Sequence, residues 1–464
     1  MTDLARLRDR LNGLEIETSP AKLRLKSRDF YWYSPVLKRQ LDDVVADGLI
    51  AASSEEQILN VLECCYAADV PVTVRGGGSG NYGQAMPLRG GIVLDVSKMD
   101  DVLEVATGRA RAQCGAKLSA IDAVCQAQSS QELRFHPSTR KMGTIAGFVA
   151  GGSSGIGSIT WGLLRDHGNI LKLRVATMEA SPRIIELTGD DIHKVNHAYG
   201  TNGVITEVEM PLATAHPWWE MVVAFDHFMD AVRFADELAK QDALLKKLIT
   251  PLAAPIPELY LRQLKDAIVP GQSVVLVMIA DIARTAFLDF AKGFAAHITL
   301  ERKPDDELAK RQPLFELSWN HTTLHALKVD PTITYLQVLY PPGIHLEKIQ
   351  EMYRTFGDEV MMHLEFVRFG GQIAAFGLPI VRYTSDERLD EIIAIHERQG
   401  CPVFNPHAFT LEEGGMKQVD LTHLAFKREA DPKGLLNPGK MIGWDNPDYV
   451  GMERRSYLYA SAER

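Results

Sequence analysis

Paired cysteines, long apolar runs and an excess of positive charge are all missing from this sequence. Its five cysteines are scattered and lack CxxC spacing, so neither a disulfide framework nor a zinc site is indicated. No stretch approaches the roughly 20 apolar residues of a membrane span, and the charged start, MTDLARLRDRLNGLEIE, predicts an amphipathic helix instead of a signal peptide. The net charge of -10 argues against a nucleic-acid surface. The scattered cysteines predict a reducing, cytoplasmic location. The length of 464 residues predicts two or three domains.

Apolar periodicity predicts an α+β architecture with short strands and few long helices. Strands are expected over 72–74, 91–96, 170–176, 203–210 and 272–280, and helices over 55–68, 118–126 and 229–247. A further helix is expected between the strands at 170–176 and 203–210. The composition changes after Pro211, where longer helical patterns begin, which predicts a domain boundary near this proline.

The turn Arg75–Tyr82, called the glycine turn below, follows a predicted strand and has four glycines among the five residues 76–80. A loop of successive backbone N–H groups can form an anion-binding nest. The turn also contains GxGxxG from Gly78 to Gly83, but a dinucleotide fingerprint must open a helix, and residues 84–91 contain Pro87 and two glycines. Taken alone, the turn fits a phosphate loop and a simple strand connection equally well.

Four glycine-rich segments follow one another along the chain. They are VTVRGGGSG at 72–80, the stretch from His136-Pro137-Ser138 to Gly151-Gly152, YGTNGVIT at 199–206 and DPKGLLNPGK at 431–440. In this order they resemble the FAD-linked oxidase family typified by vanillyl-alcohol oxidase and p-cresol methylhydroxylase. The last segment is similar to the glycolate and D-lactate dehydrogenase branch. The likeness covers most of the chain and is loose over about 213–400.

The resemblance implies an α+β fold with a two-part FAD-binding domain over 38–212 and an α+β substrate domain, or cap, over 213–400. A helical segment over 1–37 would precede them, and a C-terminal segment over 401–464 would return to the flavin. It implies that the glycine turn wraps the FAD pyrophosphate, that the second segment lines the ribityl chain and the flavin edge, that the third receives the adenine, and that the fourth approaches the isoalloxazine. The implied cofactor-binding residues are Gly76, Gly77, Gly78, Ser79, Gly80, Asn81, Tyr82, Pro137, Ser138, Thr139, Met142, Gly143, Thr144, Gly147, Gly151, Gly152, Gly155, Gly203, Ile205, Asn437 and Lys440.

Two departures from the family narrow the expected chemistry. Members that bind flavin covalently have a histidine in the first turn, and some have a cysteine in the second loop. Ser79 and Thr139 stand there, which predicts non-covalent FAD. The hydroxy-acid dehydrogenases have metal-binding Gly-His-x-Gly-Asp-Gly-Asn and Glu-His-Gly segments, whose paired histidines are missing from residues 372–379 and 404–409. A divalent metal is therefore not expected, since His363 and Glu365 lack a third ligand.

Oxidation of an alcohol by flavin needs a base for the hydroxyl proton. His321, in the cap segment WNHTTLH, is the preferred candidate, and Tyr335 is a phenolic alternative. His407 is the second histidine, and a carboxylate of the neighbouring Glu412-Glu413 pair would raise its pKa. A structural role fits each of them equally well when it is considered alone.

Arg368 and Arg382 lie in predicted cap strands, where either is a candidate to clamp a substrate carboxylate. The sequence therefore predicts an FAD-dependent oxidoreductase that dehydrogenates a small alcohol or hydroxy acid by hydride transfer to flavin. Electrons would pass to oxygen, a quinone or a partner protein. Oxidation of a phenolic or aromatic alcohol, and a non-catalytic flavin-binding electron-transfer subunit, are the alternatives. The sequence leaves a homodimer open.

Overall fold

The computed structural model describes residues 4–11, 13–152, 154–415 and 419–449. The predicted C-terminal segment therefore ends outside the described residues. The strands are β1 (Gly48–Ala51), β2 (Val72–Arg75), β3 (Ile92–Asp95), β4 (Val102–Ala106), β5 (Arg109–Gln113), β6 (Gln131–Leu133), β7 (Lys172–Ala176), β8 (Ile184–Thr188), β9 (Val204–Thr214), β10 (Trp218–Phe225), β11 (Lys246–Leu252), β12 (Ser273–Ala280), β13 (His297–Arg302), β14 (Ile333–Tyr335), β15 (Val338–Tyr340), β16 (Val360–Met361), β17 (Leu364–Phe369), β18 (Gln372–Gly377) and β19 (Ile380–Arg382).

The helices are α1 (Leu4–Arg8), α2 (Pro20–Lys26), α3 (Pro35–Leu41), α4 (Glu55–Ala67), α5 (Leu118–Ser129), α6 (Ile145–Gly151), α7 (Ser158–Trp161), α8 (Phe228–Lys240), α9 (Ile256–Tyr260), α10 (Arg284–Ala291), α11 (Glu307–Arg311), α12 (Asn320–Val329), α13 (His345–Phe356), α14 (Asp386–Arg398), α15 (Leu421–Ala430) and α16 (Ile442–Asp445). Among these described helices, none has the length and apolar character needed to cross a membrane.

A small parallel sheet in the order β1-β3-β2 carries the glycine turn at the end of β2. Helix α4 precedes β2, and its first turn is capped by the Ser54 hydroxyl, which accepts a hydrogen bond from Gln57 N at 3.2 Å. The chain leaves β2 through the glycines and reaches β3 without an intervening helix. The glycine turn is therefore a loop between strands and not the start of a Rossmann helix.

A second sheet, in the order β4-β5-β9-β7-β8 with β6 also paired to β9, packs beside the first. The helix expected between the strands at 170–176 and 203–210 is wrong, because this stretch contains β8 and a short 3-10 turn. Residues Ile184–Thr188 pair with β7 along its whole length. The β-branched pair Ile184-Ile185 suits this strand.

The cap contains a four-stranded antiparallel sheet, β11-β12-β10-β13, and two three-stranded sheets, β14-β19-β16 and β15-β18-β17. The helix predicted over 229–247 is too long, since α8 ends at Lys240 and β11 begins at Lys246. The residues of β11 are buried and pair with β12, and this pairing prevents them from continuing the helix.

The C-terminal segment returns to the parallel sheet. Val72 N donates to Leu435 O at 2.9 Å, and Asn437 N donates to Val72 O at 2.8 Å. The returning chain therefore lies along β2, directly behind the glycine turn.

A buried ion pair fixes this return. Lys427 Nζ lies 2.7 Å from Asp431 Oδ2 and donates to Thr201 O at 2.6 Å. The Asp431 carboxylate also accepts hydrogen bonds from Leu435 N at 2.9 Å and Leu436 N at 2.8 Å. Both side chains are almost fully buried, so each charge depends on the other for its compensation.

Replacing Lys427 by methionine should lower the free energy of unfolding by about 3–5 kcal/mol, because the Asp431 carboxylate would stay buried without its cation. Urea unfolding followed by circular dichroism measures the change. Lys433→Met is the control, since its pair with Asp69 is exposed and should change stability by about 0–1 kcal/mol. Equal losses in the two variants would contradict a special role for the buried pair.

Candidate functional site

A cavity of about 440 Å³ lies between the glycine-rich part of the chain and the cap. This volume is within the range of roughly 300–1,000 Å³ that is usual for small-molecule sites. Its wall is built from the glycine turn, the loop 137–144 (called the second loop below), helix α6, the segment 195–205, and cap residues from 316 to 404. Five pieces that are separate in the sequence therefore meet at this cavity.

The glycine turn packs against the second loop with backbone almost on backbone. A Cβ atom on Gly77 would lie 2.2 Å from the Met142 carbonyl oxygen, and one on Gly76 would lie 2.1 Å from Thr144 Oγ1. Only residues without a side chain allow this approach. The opposite side of the turn faces the cavity, which a phosphate or another anion could enter.

Two glycines of helix α6 leave part of its surface open to the cavity. Thr144 caps the helix through its hydroxyl, which accepts from Gly147 N at 3.4 Å. Gly147 and Gly151 are four residues apart, so they share one face, and both line the cavity. A Cβ atom on Gly151 would meet no atom within 4 Å. The helix therefore leaves open a smooth surface against which a flat or extended ligand can lie.

The segment 195–205 closes the end of α6 through two residues with left-handed backbone. His197 has φ 57° and Tyr199 has φ 52°. His197 N donates to Val149 O at 3.0 Å, and Tyr199 N donates to Ala150 O at 3.0 Å. Both side chains line the cavity. Burial lowers the pKa of His197 to about 3, so its imidazole is neutral. Sequence reasoning missed His197, because a lone histidine outside a motif gives no signal.

Most residues predicted to bind the cofactor line this cavity. They are Gly76, Gly77, Gly78, Ser79, Gly80, Asn81, Pro137, Ser138, Thr139, Met142, Gly143, Thr144, Gly147, Gly151, Gly152, Gly203 and Ile205. The structure does not bring Tyr82, Gly155, Asn437 or Lys440 to the wall. Gly155 serves close packing instead, since a Cβ atom there would lie 2.3 Å from His136 O.

Asn437 and Lys440 support the cavity from behind. The Asn437 amide donates to Gln84 O at 2.8 Å and Tyr199 O at 2.7 Å, and so joins the glycine turn region to the segment 195–205. Lys440 Nζ donates to Gly83 O. Burial lowers the pKa of Lys440 to about 7, although the nearby Asp29 carboxylate acts in the opposite direction. The expectation that these two residues approach the isoalloxazine ring is corrected, because their N–H groups donate hydrogen bonds to backbone carbonyls behind the wall.

Asp29, in the N-terminal segment, is a wall residue that the sequence did not reveal. Its carboxylate accepts hydrogen bonds from Tyr31 N at 2.9 Å and Ala85 N at 3.2 Å. Burial raises its pKa to about 6, against the lowering effects of those hydrogen bonds, Lys440 and Arg75. The N-terminal segment therefore contributes to the site, together with its neighbours Phe30 and Tyr33.

The cap side of the cavity, called the cap wall, combines apolar and polar side chains, and a buried carboxylate holds the backbone of Trp319 there. Its apolar and aromatic members are Trp319, Leu324 and Phe376, which are joined by Leu163 and Phe404 from neighbouring segments. Trp319 has φ 51° and ψ -144°, a conformation that costs a non-glycine residue roughly 1–3 kcal/mol. Trp319 N donates to Glu365 Oε1 at 2.5 Å, and that oxygen lies 2.8 Å from His363 Nε2.

His321 lies on the cap wall in the first turn of α12. Its pKa is lowered to about 4, mainly by burial and further by the nearby His325 and Lys328. Its imidazole is therefore neutral at physiological pH and can accept a proton. Of the catalytic candidates named from the sequence, His321 is the one that the described structure brings to the cavity.

Tyr335 and His407 lie one layer behind the wall. The Tyr335 side chain is fully buried and its ring packs edge-on against Tyr33, with 6.0 Å between ring centroids. Burial raises its pKa well above 10, which makes it unsuited to act as a base. His407 Nδ1 lies 2.7 Å from Ser34 Oγ, and Nε2 donates to Tyr335 O at 3.0 Å. The expected raised pKa of His407 is wrong, because burial lowers it to about 4.

Arg368 and Arg382 also lie away from the cavity. Arg368 forms an ion pair with Asp242, and Arg382 Nε donates to Asp358 O at 3.0 Å in an exposed position. The expected carboxylate clamp is therefore corrected, because neither guanidinium reaches the wall. The cations that do line the cavity are Arg75, Lys141 and Arg165.

The residues described in the structure contain no group of three or more histidines, cysteines, aspartates or glutamates placed to hold a metal ion. His363 and Glu365 bond to each other, and Glu365 Oε2 accepts from Thr250 Oγ1 at 2.6 Å. The pair therefore has a structural environment within the cap.

Comparison with known proteins identifies an FAD binding domain, whose family model matches residues 46–186. The glycolate oxidase subunit GlcD of Escherichia coli (strain K12) is 29% identical over 229 residues, which are 47% of this chain and 44% of that protein. D-lactate dehydrogenase of Archaeoglobus fulgidus is 28% identical over 42% of this chain and 45% of its own length. An uncharacterised FAD-linked oxidoreductase of Mycobacterium tuberculosis is 28% identical over 44% of each chain. Each match spans less than half of the relative.

The solved structure of an alkyldihydroxyacetonephosphate synthase superposes with a TM-score of 0.69 over 92% of this chain and 82% of its own, at 14% identity. This likeness shows the fold. The α+β fold with an FAD-binding domain that the sequence predicted is confirmed, and so are the resemblance to FAD-linked oxidoreductases and FAD as the cofactor.

The residues present fit FAD. The open face at Gly151 leaves space where a side chain would otherwise stand. Asn81 Nδ2 is a buried donor without a hydrogen-bond partner among the described residues, and a bound phosphate or carbonyl group would satisfy it. The glycine turn, the second loop and α6 would hold the cofactor.

Gly151→Leu should weaken FAD binding at least about tenfold, because the new side chain enters open cavity. Fluorescence titration of the apoprotein with FAD measures the affinity. The melting temperature of the apoprotein should not fall, since a Cβ atom at this position meets no atom within 4 Å and leucine has a higher helix propensity than glycine. Ala120→Leu, at an exposed position of α5, is the control. Unchanged FAD affinity in Gly151→Leu would place the cofactor elsewhere.

Precipitation with acid should release the flavin into the supernatant, because Ser79 and Thr139 line the cavity where covalent members of the family carry histidine or cysteine. Absorbance near 450 nm of the supernatant and of the redissolved pellet measures how much flavin is released and how much stays with the protein. Flavin retained by the washed pellet would contradict non-covalent binding.

Proposed function

We propose that the protein is an FAD-dependent oxidoreductase that dehydrogenates a small alcohol or hydroxy acid. One observation carries the proposal: His321, neutral and partly buried, lies on the same cavity as the glycine turn and α6. A base near a hydride acceptor is the arrangement that oxidation of a CH–OH group requires. Similarity to a glycolate oxidase subunit and to D-lactate dehydrogenase supports the same chemistry.

The chain's own groups would bind, orient and deprotonate the substrate. When bound, FAD accepts the hydride that leaves the carbinol carbon, so that the alcohol becomes a carbonyl compound. His321 takes the hydroxyl proton and later releases it to solvent. The cap wall excludes water from the reacting atoms. Oxygen, a quinone and a partner protein are the candidates for the electron acceptor.

A phenolic or aromatic alcohol is a second candidate substrate, favoured by the composition of the cap wall. Trp319, Phe376 and Phe404 offer aromatic surface there. The cationic wall residue next to this region, Lys141, is already paired with Glu316 at 2.8 Å. A substrate carboxylate would have to compete with Glu316 for that cation, whereas a neutral ring would not.

His321→Gln should slow flavin reduction by about a hundredfold and leave FAD bound, because the variant loses the base and keeps a polar group of similar size. Anaerobic stopped-flow absorbance measures reduction with D-lactate, glycolate, 2-hydroxyglutarate and a vanillyl-type alcohol. The wild-type rate should stay level while His321 is neutral and should fall as the pH drops through about 4. Unchanged kinetics would remove His321 as the base.

His325→Gln serves as the matched control. His325 lowers the pKa of His321, so its removal should move the acid limb of the rate profile to higher pH and leave the rate at pH 8 within about threefold.

Absence of reduction by every alcohol, together with ready reduction by a partner protein, would instead favour the non-catalytic subunit.

A further inference from the structure

Tyr82 lies directly behind the cavity wall, and its hydroxyl contacts two groups. It lies 2.9 Å from Gln337 Oε1 and 3.1 Å from the Phe404 carbonyl oxygen, so two acceptors face its single proton. Gln337, which lies in the chain between β14 and β15, lines the cavity. Tyr82 accounts for one of the two polar atoms of this amide, and the cavity is on the side of the other.

The backbone holds this arrangement in place. Phe404 N donates to Gln337 O at 2.8 Å, which ties the two segments together. The Tyr82 side chain is buried, and burial raises its pKa well above 10, so the phenol keeps its proton. A protonated phenol can donate one hydrogen bond and can also accept.

The count of protons decides which end of the amide faces Tyr82. The Phe404 carbonyl can only accept, so it competes with the Gln337 carbonyl for the one phenolic proton when that carbonyl is turned to Tyr82. A half-turn of the terminal amide, which exchanges Oε1 and Nε2 in place, would let the phenol donate to Phe404 O and accept from Gln337 Nε2. Both bonds then form, and a buried network favours the orientation that satisfies all its members.

We infer that Gln337 presents its carbonyl oxygen to the cavity as a fixed hydrogen-bond acceptor for a neutral N–H or O–H group. Two donors have this chemistry: the imide N–H of the flavin ring and the hydroxyl of an alcohol substrate. The second source rests on the proposed function, whereas the first requires FAD alone. The same oxygen would repel a carboxylate, so Gln337 would favour ligands that are uncharged at this point.

Two substitutions distinguish an acceptor from a donor at this position. Gln337→Met removes both functions at similar size, and Gln337→Glu keeps an acceptor and loses the donor. With the carbonyl toward the cavity, Gln337→Met should weaken ligand binding by about tenfold, and Gln337→Glu should stay within about threefold of wild type. A glutamate variant that binds as weakly as the methionine variant, or more weakly, would overturn the inference.

Two titrations identify the source of the donor. The first titrates the apoprotein with FAD by fluorescence, and the second titrates the FAD-loaded protein with vanillyl alcohol under anaerobic conditions by flavin absorbance. Weaker FAD binding in Gln337→Met assigns the contact to the flavin imide, and an effect confined to the alcohol assigns it to the substrate hydroxyl. No effect in either titration overturns the inference. If the alcohol never perturbs wild-type flavin, the proposed substrate fails while the FAD titration still tests Gln337.

Tyr82→Phe tests the orienting role separately. Without the phenol, the amide can turn freely, and binding should weaken by about threefold to tenfold in the same titration that Gln337→Met affects. Gln128→Met, at an exposed position of α5, controls for the loss of a glutamine, and melting temperatures of all apoproteins identify any general destabilisation. Wild-type affinity in Tyr82→Phe would overturn the orienting role.

Discussion

The close contact between the glycine turn and the second loop determines the shape of the whole cavity. Gly76 and Gly77 lie so near Thr144 and Met142 that neither can carry a side chain. The contact holds the end of β2 at the start of α6, whose glycine face then forms the floor of the cavity. The returning C-terminal segment and Asn437 brace the same region from behind. The cofactor site therefore depends on backbone packing more than on polar side chains.

This dependence explains why the sequence predicts the cofactor half of the site well. The glycines at Gly76 and Gly77 are local necessities of close approach, so they remain visible as a pattern. Strands such as β12 are equally visible, since Ser273–Ala280 is a continuous apolar run buried on all sides. The same patterns fail where tertiary pairing overrides them, as in β8, which lies where a helix was expected, and at the start of β11, into which the predicted helix 229–247 extends.

The cap half of the site could not be predicted to the same extent. Whether His407 faces a ligand or a carbonyl depends on how the C-terminal segment meets Ser34, a contact across 373 residues of chain. Whether Arg368 is a clamp or a surface ion pair depends on Asp242 in another element. Asp29 and Gln337 belong to no motif at all. Their importance comes from position, which sequence spacing does not encode.

Trp319 and Glu365 show how a residue outside the cavity can restrict which residue stands at a position that lines it. The backbone of Trp319 is a form that glycine adopts freely and tryptophan does not, and the Glu365 carboxylate, 46 residues away, holds it. A relative that loses the carboxylate would lose the restraint, and glycine at position 319 would remove the need for it. The two positions should therefore covary among relatives that share this cap, even though only one of them touches the cavity.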